Sequence, residues 1–185
     1  AYQAGQKAKN DSKIGADLAT AGQSLPASPS QAERDGYQAA KDAYDVATGK
    51  KAAPDLTNKS LAYKDAYNKT LDAATPVVSK ALGDYTDGVK TNPYDANSAE
   101  GKLYQAVKDD AAAGEQAAND PNSPAAPDAT QSTAYKAGYD IAKGSADALN
   151  GAQKNSNNND DAYKDAFDNA TDGFNGDNNN APENQ

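Results

Sequence analysis

The chain has 185 residues, of which 40 are Ala and only 17 are Ile, Leu, Val or Phe, and it carries 27 acidic against 18 basic side chains. The net charge of −9 argues against a nucleic-acid partner, because phosphate binding needs a basic surface. Cys and His are both absent, which excludes metal sites built from thiolate or imidazole ligands, and no run approaches the roughly 18 apolar residues of a membrane helix.

A supply of aliphatic side chains this small, combined with a high net charge, would by composition favour disorder. We instead expect an ordered protein whose interior is built from Ala and Tyr. Each buried Tyr removes roughly 150–250 Å² of surface from water, so the 11 Tyr residues can supply much of the bulk that Leu and Ile usually provide.

One short pattern recurs along the chain: an aromatic residue, a small residue three positions later and often a second aromatic at the next position. The leading aromatics are Tyr37, Tyr63, Tyr104, Tyr135 and Tyr163, with a weaker copy at Tyr2. Further Ala, Leu or Phe residues continue each copy at helical spacing, as Ala170 and Phe174 do after Tyr163 and Leu149 does after Tyr135. This period predicts one apolar face of an α-helix in every copy.

Polar and Pro-containing segments set the expected helix boundaries. Ser30 to Glu33 and Asn97 to Glu100 read as capping boxes at helix starts, and Pro54 and Pro76 are expected to break helices. The sequence thus predicts an all-α fold with about seven helices, near 1–22, 31–49, 58–74, 76–90, 98–118, 131–150 and 160–174.

The copies must stack, because one helix cannot bury its apolar stripe alone. We expect tandem Ala/Tyr-rich helical repeats, arranged as a helical array or as two small bundles. The predicted division is a first repeat group at 1–92, a second at 93–175 and an Asn-rich tail at 176–185. A coarser duplication is also possible, since Tyr2, Tyr37 and Tyr63 lie about 100 residues before Tyr104, Tyr135 and Tyr163.

Most Tyr rings share the helical face of Ala and Leu, so we interpret them as core rather than as platforms for sugars. Tyr94 lies off any such stripe, in the loop that runs from residue 91 to residue 97. We therefore expect it to be exposed and predict a ligand-binding site there. The predicted site residues are Asn92, Tyr94, Asp95 and Asn97.

Catalytic chemistry is not expected. Asp109-Asp110 and Asp160-Asp161 are adjacent in sequence, so on a helix they point in different directions and cannot flank one bond. The segment that starts at Asp168 resembles an EF-hand loop, but its third position is Ala170 and its twelfth is Asn179. The sequence predicts no enzyme, no metal site and no cofactor.

At Ala62 to Tyr67, Ala134 to Tyr139 and Ala162 to Phe167 the chain resembles the helical repeat regions of cell-wall-anchored surface proteins of lactic acid bacteria, which are Gram-positive. The Cys-free, Asp-, Lys- and Asn-rich composition adds to the resemblance. It implies a large exported adhesin or aggregation factor at the cell surface, with its export signal and wall anchor outside the given sequence.

Two functions follow as hypotheses. The first is an extracellular adhesion module that binds host or bacterial surface glycans or glycoproteins, or further copies of itself, more strongly in acid. Near the pI of about 4.4 the repulsion between copies falls. The second is a structural spacer that projects another binding domain from the wall. Neither requires nucleic acid or membrane insertion.

Overall fold

The computed structural model describes residues 1–120, 126–155 and 160–175, and within these ranges the chain is helical and forms no strand. The helices are α1 (Tyr2–Thr20), α2 (Gln31–Ala47), α3 (Leu61–Thr86), α4 (Ala99–Asn119), α5 (Thr133–Leu149) and α6 (Asp161–Asn175). The predicted all-α class is confirmed, but the described residues form six helices rather than seven. The predicted tail at 176–185 lies outside the described residues.

The expected break at Pro76 is wrong, because α3 continues through it from Leu61 to Thr86. A proline inside a helix loses one backbone hydrogen bond and costs about 3 kcal/mol or more. Here its ring is exposed, while Ala74, Val77 and Ala81 on either side of it are buried. The burial of one continuous apolar face therefore outweighs the local penalty.

Serine side chains cap the N-termini of four of the helices. The capping box predicted at Ser30 is confirmed: its Oγ accepts from the Glu33 amide at 3.1 Å, and the Glu33 carboxylate accepts from the Ser30 amide at 2.5 Å. The second predicted box is wrong by one residue, because Ser98 rather than Asn97 precedes α4 and accepts from the Gly101 amide at 2.9 Å. Ser60 and Ser132 cap α3 and α5 in the same manner.

Four helices also end in the same way, with a glycine of positive φ just beyond the last turn. Gly49 after α2 (φ 74°) and Gly151 after α5 (φ 70°) show the geometry, which a side chain would strain. The amide that follows Gly49 then donates to the Asp45 carbonyl at 2.8 Å. Gly22 and Gly88 end α1 and α3 similarly.

The chain divides into two compact units, Ala1–Lys108 and Asp109–Gln185, with the boundary inside α4. In the first unit, α2 packs against both α1 and α3. The core between α2 and α3 is a cluster of small and aromatic side chains: Ala39, Ala43, Tyr63, Ala66 and Tyr67. Aromatic rings and Ala thus fill the interior, as the composition indicated.

Glycine lets α1 and α2 approach until their backbones touch. A Cβ added to Gly15 would overlap the Glu33 carbonyl, and one added to Gly36 would overlap the Ser12 carbonyl. Both glycines are buried. The two helices therefore cross at positions that exclude any side chain.

The second unit contains a crossing of the same kind between α4 and α5. A Cβ on Gly114 would overlap the Tyr135 carbonyl, and one on Gly138 would overlap the Ala111 carbonyl. Each crossing thus pairs one glycine from each of two consecutive helices.

Of the 13 aromatic residues, five are buried, six are half-buried and two are exposed. The buried set is Tyr63, Tyr67, Tyr104, Tyr163 and Phe167. In contrast, Tyr2 and Phe174 are each 80% exposed and Leu149 is 63% exposed. The prediction that Phe174 and Leu149 belong to buried stripes is wrong, because no element of the described chain covers these ends of α6 and α5.

Three buried Tyr residues bond to carboxylates of the preceding helix. The bonds run from Tyr63 to Asp42 at 2.7 Å, from Tyr104 to Asp84 at 2.8 Å and from Tyr163 to Asp147 at 3.1 Å. A buried hydroxyl needs a partner, and these carboxylates provide one. The leading Tyr of three copies therefore joins its own helix to the one before it.

Candidate functional site

The loop predicted to bind a ligand is a folded cap on the start of α4. Tyr94 is half-buried rather than exposed, and its ring leans on the buried ring of Tyr104 with centroids 5.8 Å apart and planes at 59°. The Asn92 side-chain amide donates to the Gly101 carbonyl at 2.9 Å, and its oxygen accepts from the Tyr94 amide at 3.0 Å. The polar atoms of Asn92 thus hold the loop together.

Asp95 and Asn97 lie at the exposed side of this loop. The Asp95 carboxylate accepts from the Asn97 amide at 2.9 Å, and its carbonyl accepts from the Ser98 hydroxyl at 2.7 Å. None of the four predicted site residues lines the cavity described next. The loop site stays a prediction that geometry does not favour.

A concave surface lies elsewhere in the first unit, between α1, α3 and the first turn of α4. It is a cavity of about 540 Å³, which falls in the range of small-ligand pockets. Its floor is formed by small and aliphatic side chains: Ala16, Ala66, Ala73, Ala74, Val77 and Leu103. We call this the α1–α3–α4 cavity.

Two polar contacts fix the walls of the α1–α3–α4 cavity. The buried Ser12 hydroxyl of α1 donates to the Ala62 carbonyl of α3 at 2.8 Å. The Lys102 ammonium of α4 donates to the Ala21 carbonyl at the end of α1 at 3.2 Å. The three helices are therefore held at a separation that the Ala side chains do not fill.

Charged side chains surround the mouth of the cavity. Four of them form two ion pairs, each within a single helix. Lys13 and Asp17 on α1 are 2.6 Å apart, and Lys69 and Asp65 on α3 are 2.7 Å apart. Lys9 on α1 and Glu100 on α4 also line the cavity, and neither forms an ion pair within the described ranges. Among the described residues, the rim thus offers one free cation, Lys9, and one free anion, Glu100.

Tyr44 of α2 provides the aromatic ring of this cavity. Burial, with a smaller contribution from the negative charge of Glu100, raises the pKa of Tyr44 to about 12. Its hydroxyl therefore stays neutral at physiological pH. Since it has no hydrogen-bond partner among the described residues, it can donate to or accept from a ligand.

Two groups with shifted pKa values, Tyr63 and Asp42, lie outside the cavity and bond to each other. Burial, and then the bond to Asp42, raise the pKa of Tyr63. Burial alone would raise the pKa of Asp42, but bonds from Tyr63, Gln38 and Lys51 outweigh it and lower the value. The Tyr63 hydroxyl and the Asp42 carboxylate therefore satisfy each other's hydrogen bonding, and neither residue lines the cavity.

The described residues contain no cluster of three or more side chains that could hold a metal ion. The EF-hand-like start at Asp168 to Gly173 is part of α6, so it does not form a loop. Across the same part of the chain, no helix combines the length and apolarity needed to cross a bilayer.

Comparison of the chain with protein-family models, with curated proteins and with solved structures gives no match. Function must therefore be argued from the cavity and the surface themselves.

Sequence reasoning missed the cavity. The relevant signal is the set of small residues on α3, Ala66, Ala73 and Ala74, on a face that also carries Tyr63 and Val77. Small side chains permit either close helix packing or a void, and the sequence pattern is the same for both.

Proposed function

We propose that this chain is a non-catalytic binding module of an extracellular bacterial surface protein, and that its ligand enters the α1–α3–α4 cavity. The observation that supports this is an open cavity with an apolar floor, a neutral Tyr44 hydroxyl and free opposite charges at Lys9 and Glu100. Such a site can hold a ligand, but it presents no nucleophile with an adjacent base. The surface setting rests on the resemblance described above.

The lining favours a surface protein over a glycan as the ligand. Sugars stack on aromatic faces, whereas the floor of this cavity is Ala, Val and Leu with Tyr44 as its ring. An apolar side chain presented by a partner protein matches that floor. A basic or acidic neighbour of that side chain would then meet Glu100 or Lys9 at the rim.

Filling the cavity provides the test. Ala73→Leu adds volume to the lining from an exposed position, while Ala106→Leu makes the same change at an exposed position of α4 that does not line the cavity. Binding of both variants and of the parent chain would be measured on mucin, on glycan arrays and on bacterial cell-wall proteins. We expect Ala73→Leu to weaken binding by about tenfold or more, since it occupies the space of the ligand. Equal binding by the three proteins would overturn the cavity as the site.

The second candidate is a structural spacer. The two glycine crossings and the self-bonded loop at 91–97 favour it, because they stiffen the chain without presenting a ligand site. Failure of the parent chain to bind any surface at any pH would favour the spacer over the binding module.

Binding is proposed to strengthen in acid, and the charge is concentrated in one unit. Residues 1–108 hold 14 basic and 13 acidic side chains, whereas residues 109–185 hold 4 basic and 14 acidic ones. Protonation of carboxylates as the pH falls toward the whole-chain pI of about 4.4 reduces the repulsion between second units, although these units keep a net negative charge at that pH. Light scattering and surface binding from pH 7 to pH 4 at fixed salt would measure the effect, and a flat response would remove this part of the proposal.

A further inference from the structure

The α1–α3–α4 cavity is larger than one apolar side chain needs. Its volume is about 540 Å³, whereas a cavity of roughly 150 Å³ already holds a molecule of the size of benzene. A single Leu or Val side chain would therefore leave much of the cavity empty. The space can take a long side chain together with a neighbouring one.

One carboxylate at the rim is unpaired among the described residues. Asp17 and Asp65 each form an ion pair with a lysine of their own helix. Glu100, in the first turn of α4, forms no such pair within the described ranges. A free carboxylate beside an apolar floor attracts a cation that carries its own apolar surface.

The lysines nearest to this carboxylate leave it free. The Lys102 ammonium, two positions after Glu100 on α4, donates to the Ala21 carbonyl at the end of α1 at 3.2 Å. Lys9 lines the same cavity, and no ion pair joins it to Glu100 in the described part of the chain. Glu100 can therefore pair with a cation that a ligand supplies, while Lys9 disfavours a second one.

Tyr44 of α2 supports the same choice of ligand charge. Burial is the main cause of its raised pKa and the charge of Glu100 is the second, so the two side chains are close enough to interact. The neutral hydroxyl can accept a hydrogen bond, and the face of the ring attracts a cation. Two side chains from different helices thus favour a cation in the same part of the cavity.

An ammonium suits two separate acceptors better than a guanidinium does. The head of a lysine carries three donors that point in different directions, whereas the arginine fork matches one carboxylate in its own plane. The lysine stem is also aliphatic, and the cavity offers it the side chains of Ala66, Ala73 and Val77. The lining therefore favours a lysine side chain.

We propose, taking the α1–α3–α4 cavity as the binding site argued above, that the partner protein inserts a lysine side chain into it. The stem lies on the apolar floor, and the ammonium bonds to the Glu100 carboxylate and the Tyr44 hydroxyl. The remaining volume takes an apolar residue next to that lysine. An acidic side chain in the same place would be repelled by Glu100, so charge sets the specificity.

Two blocked tetrapeptides test the role of the charge. Acetyl-Ala-Leu-Lys-Ala-amide carries the lysine, and its norleucine analogue keeps the aliphatic stem without the ammonium. Nuclear magnetic resonance titration of the full chain would give both dissociation constants, and their ratio is the lysine preference. We expect Glu100→Gln to lower this preference by about fivefold, and salt at about 1 M to lower it in the parent chain as well.

Matched variants define the remaining contacts. Tyr44→Phe keeps the ring, removes the acceptor and should lower the lysine preference by about threefold. Asp72→Asn removes a carboxylate at an exposed position of α3 outside the cavity and should leave the preference unchanged. Glu100→Lys should reverse the specificity, so that acetyl-Ala-Leu-Glu-Ala-amide binds more tightly than the lysine peptide. Circular dichroism would verify the fold of each variant.

Ala73→Leu distinguishes a wrong ligand residue from a wrong site. Weaker binding of both peptides by Ala73→Leu, together with an equal lysine preference in the parent chain and in Glu100→Gln, would overturn the lysine and leave the cavity supported. Unchanged binding of both peptides by Ala73→Leu would overturn the cavity itself. Failure of both peptides to bind the parent chain would also overturn the lysine proposal.

Discussion

The hydroxyl of Tyr104, whose side chain is fully buried, donates to the carboxylate of Asp84 at 2.8 Å and thereby joins α4 to α3. The Lys80 ammonium, one turn before Asp84 on α3, forms an ion pair with the same carboxylate at 2.9 Å. Burial, followed by the bond to Asp84, raises the pKa of Tyr104 to about 12, so it remains a neutral donor at any physiological pH.

Tyr104→Phe should lower the free energy of unfolding by about 1–2 kcal/mol, because it removes a donor from a buried carboxylate while keeping the ring. Urea unfolding followed by circular dichroism would measure the change. Tyr37→Phe is the matched control, since the half-buried Tyr37 hydroxyl has no hydrogen-bond partner within the described ranges. Equal losses in the two variants would show that the bond to Asp84 contributes nothing specific.

The chain should lose stability in acid partly through Asp84. The bond from Lys80, then that from Tyr104, lower the pKa of Asp84 and outweigh the opposite effect of burial. A lowered folded-state pKa gives stability that is complete above the unfolded value of about 3.9 and disappears as pH falls through the folded value. Urea midpoints from pH 6 to pH 3 should therefore fall less steeply for Asp84→Asn than for the parent chain.

Gly15→Ala and Gly114→Ala should each destabilise the chain by about 1–3 kcal/mol or more, because the added Cβ would overlap a carbonyl of the facing helix. Gly5→Ala offers a control in α1, where a Cβ meets nothing within 4 Å. That change should instead stabilise by about 0.5–1 kcal/mol through helix propensity. Thermal unfolding would report both signs, and a neutral Gly15→Ala would contradict the close crossing.

Tyr67→Phe should be neutral or slightly stabilising. The Tyr67 hydroxyl is buried and has no hydrogen-bond partner in the described part of the chain. A Phe already stands at the corresponding position of α6, Phe167. Removing an unsatisfied hydroxyl relieves a desolvation cost, whereas Tyr63→Phe on the same helix breaks a bond to Asp42 and should destabilise. Chemical denaturation of both variants would distinguish them, and a large loss in Tyr67→Phe would point to an unrecognised partner.

Pro76→Ala should stabilise the chain by up to about 3 kcal/mol, since it restores an amide donor inside α3 at an exposed position. Pro26→Ala, in the loop before α2, should bring no such gain, because no helical bond is missing there. Unfolding free energies would be compared in urea. A loss of stability in Pro76→Ala would contradict this prediction and show that Pro76 contributes to packing.

The sequence predicts which residues share one face of a helix, because the 3.6-residue spacing of side chains is a local property. Tyr63, Ala66 and Tyr67 share one face and are all buried. Pro76 was misjudged because its local penalty is outweighed by burial on either side. Phe174 was misjudged for a related reason: period places a side chain on a face, but only a neighbouring element decides whether that face is covered.

The candidate site was harder to predict than the fold. Tyr94 was predicted to bind a ligand because it lies outside every apolar helix face, yet its ring packs against that of Tyr104. The cavity depends on how far apart three helices are held, and contacts such as that between Ser12 and Ala62 set this distance. Those two residues are 50 positions apart, and nothing local in the sequence connects them.

The glycines that end α2 and α5 affect which sequence changes this fold can tolerate during evolution. At Gly49 and Gly151 the direction in which the backbone leaves the helix is fixed before the loop begins. Thirteen residues then separate α2 from α3, and eleven separate α5 from α6, although both pairs are joined by a Tyr–Asp bond. Insertions and deletions in these loops leave the helix register intact, so this scaffold absorbs changes in loop length more readily than substitutions at its crossings.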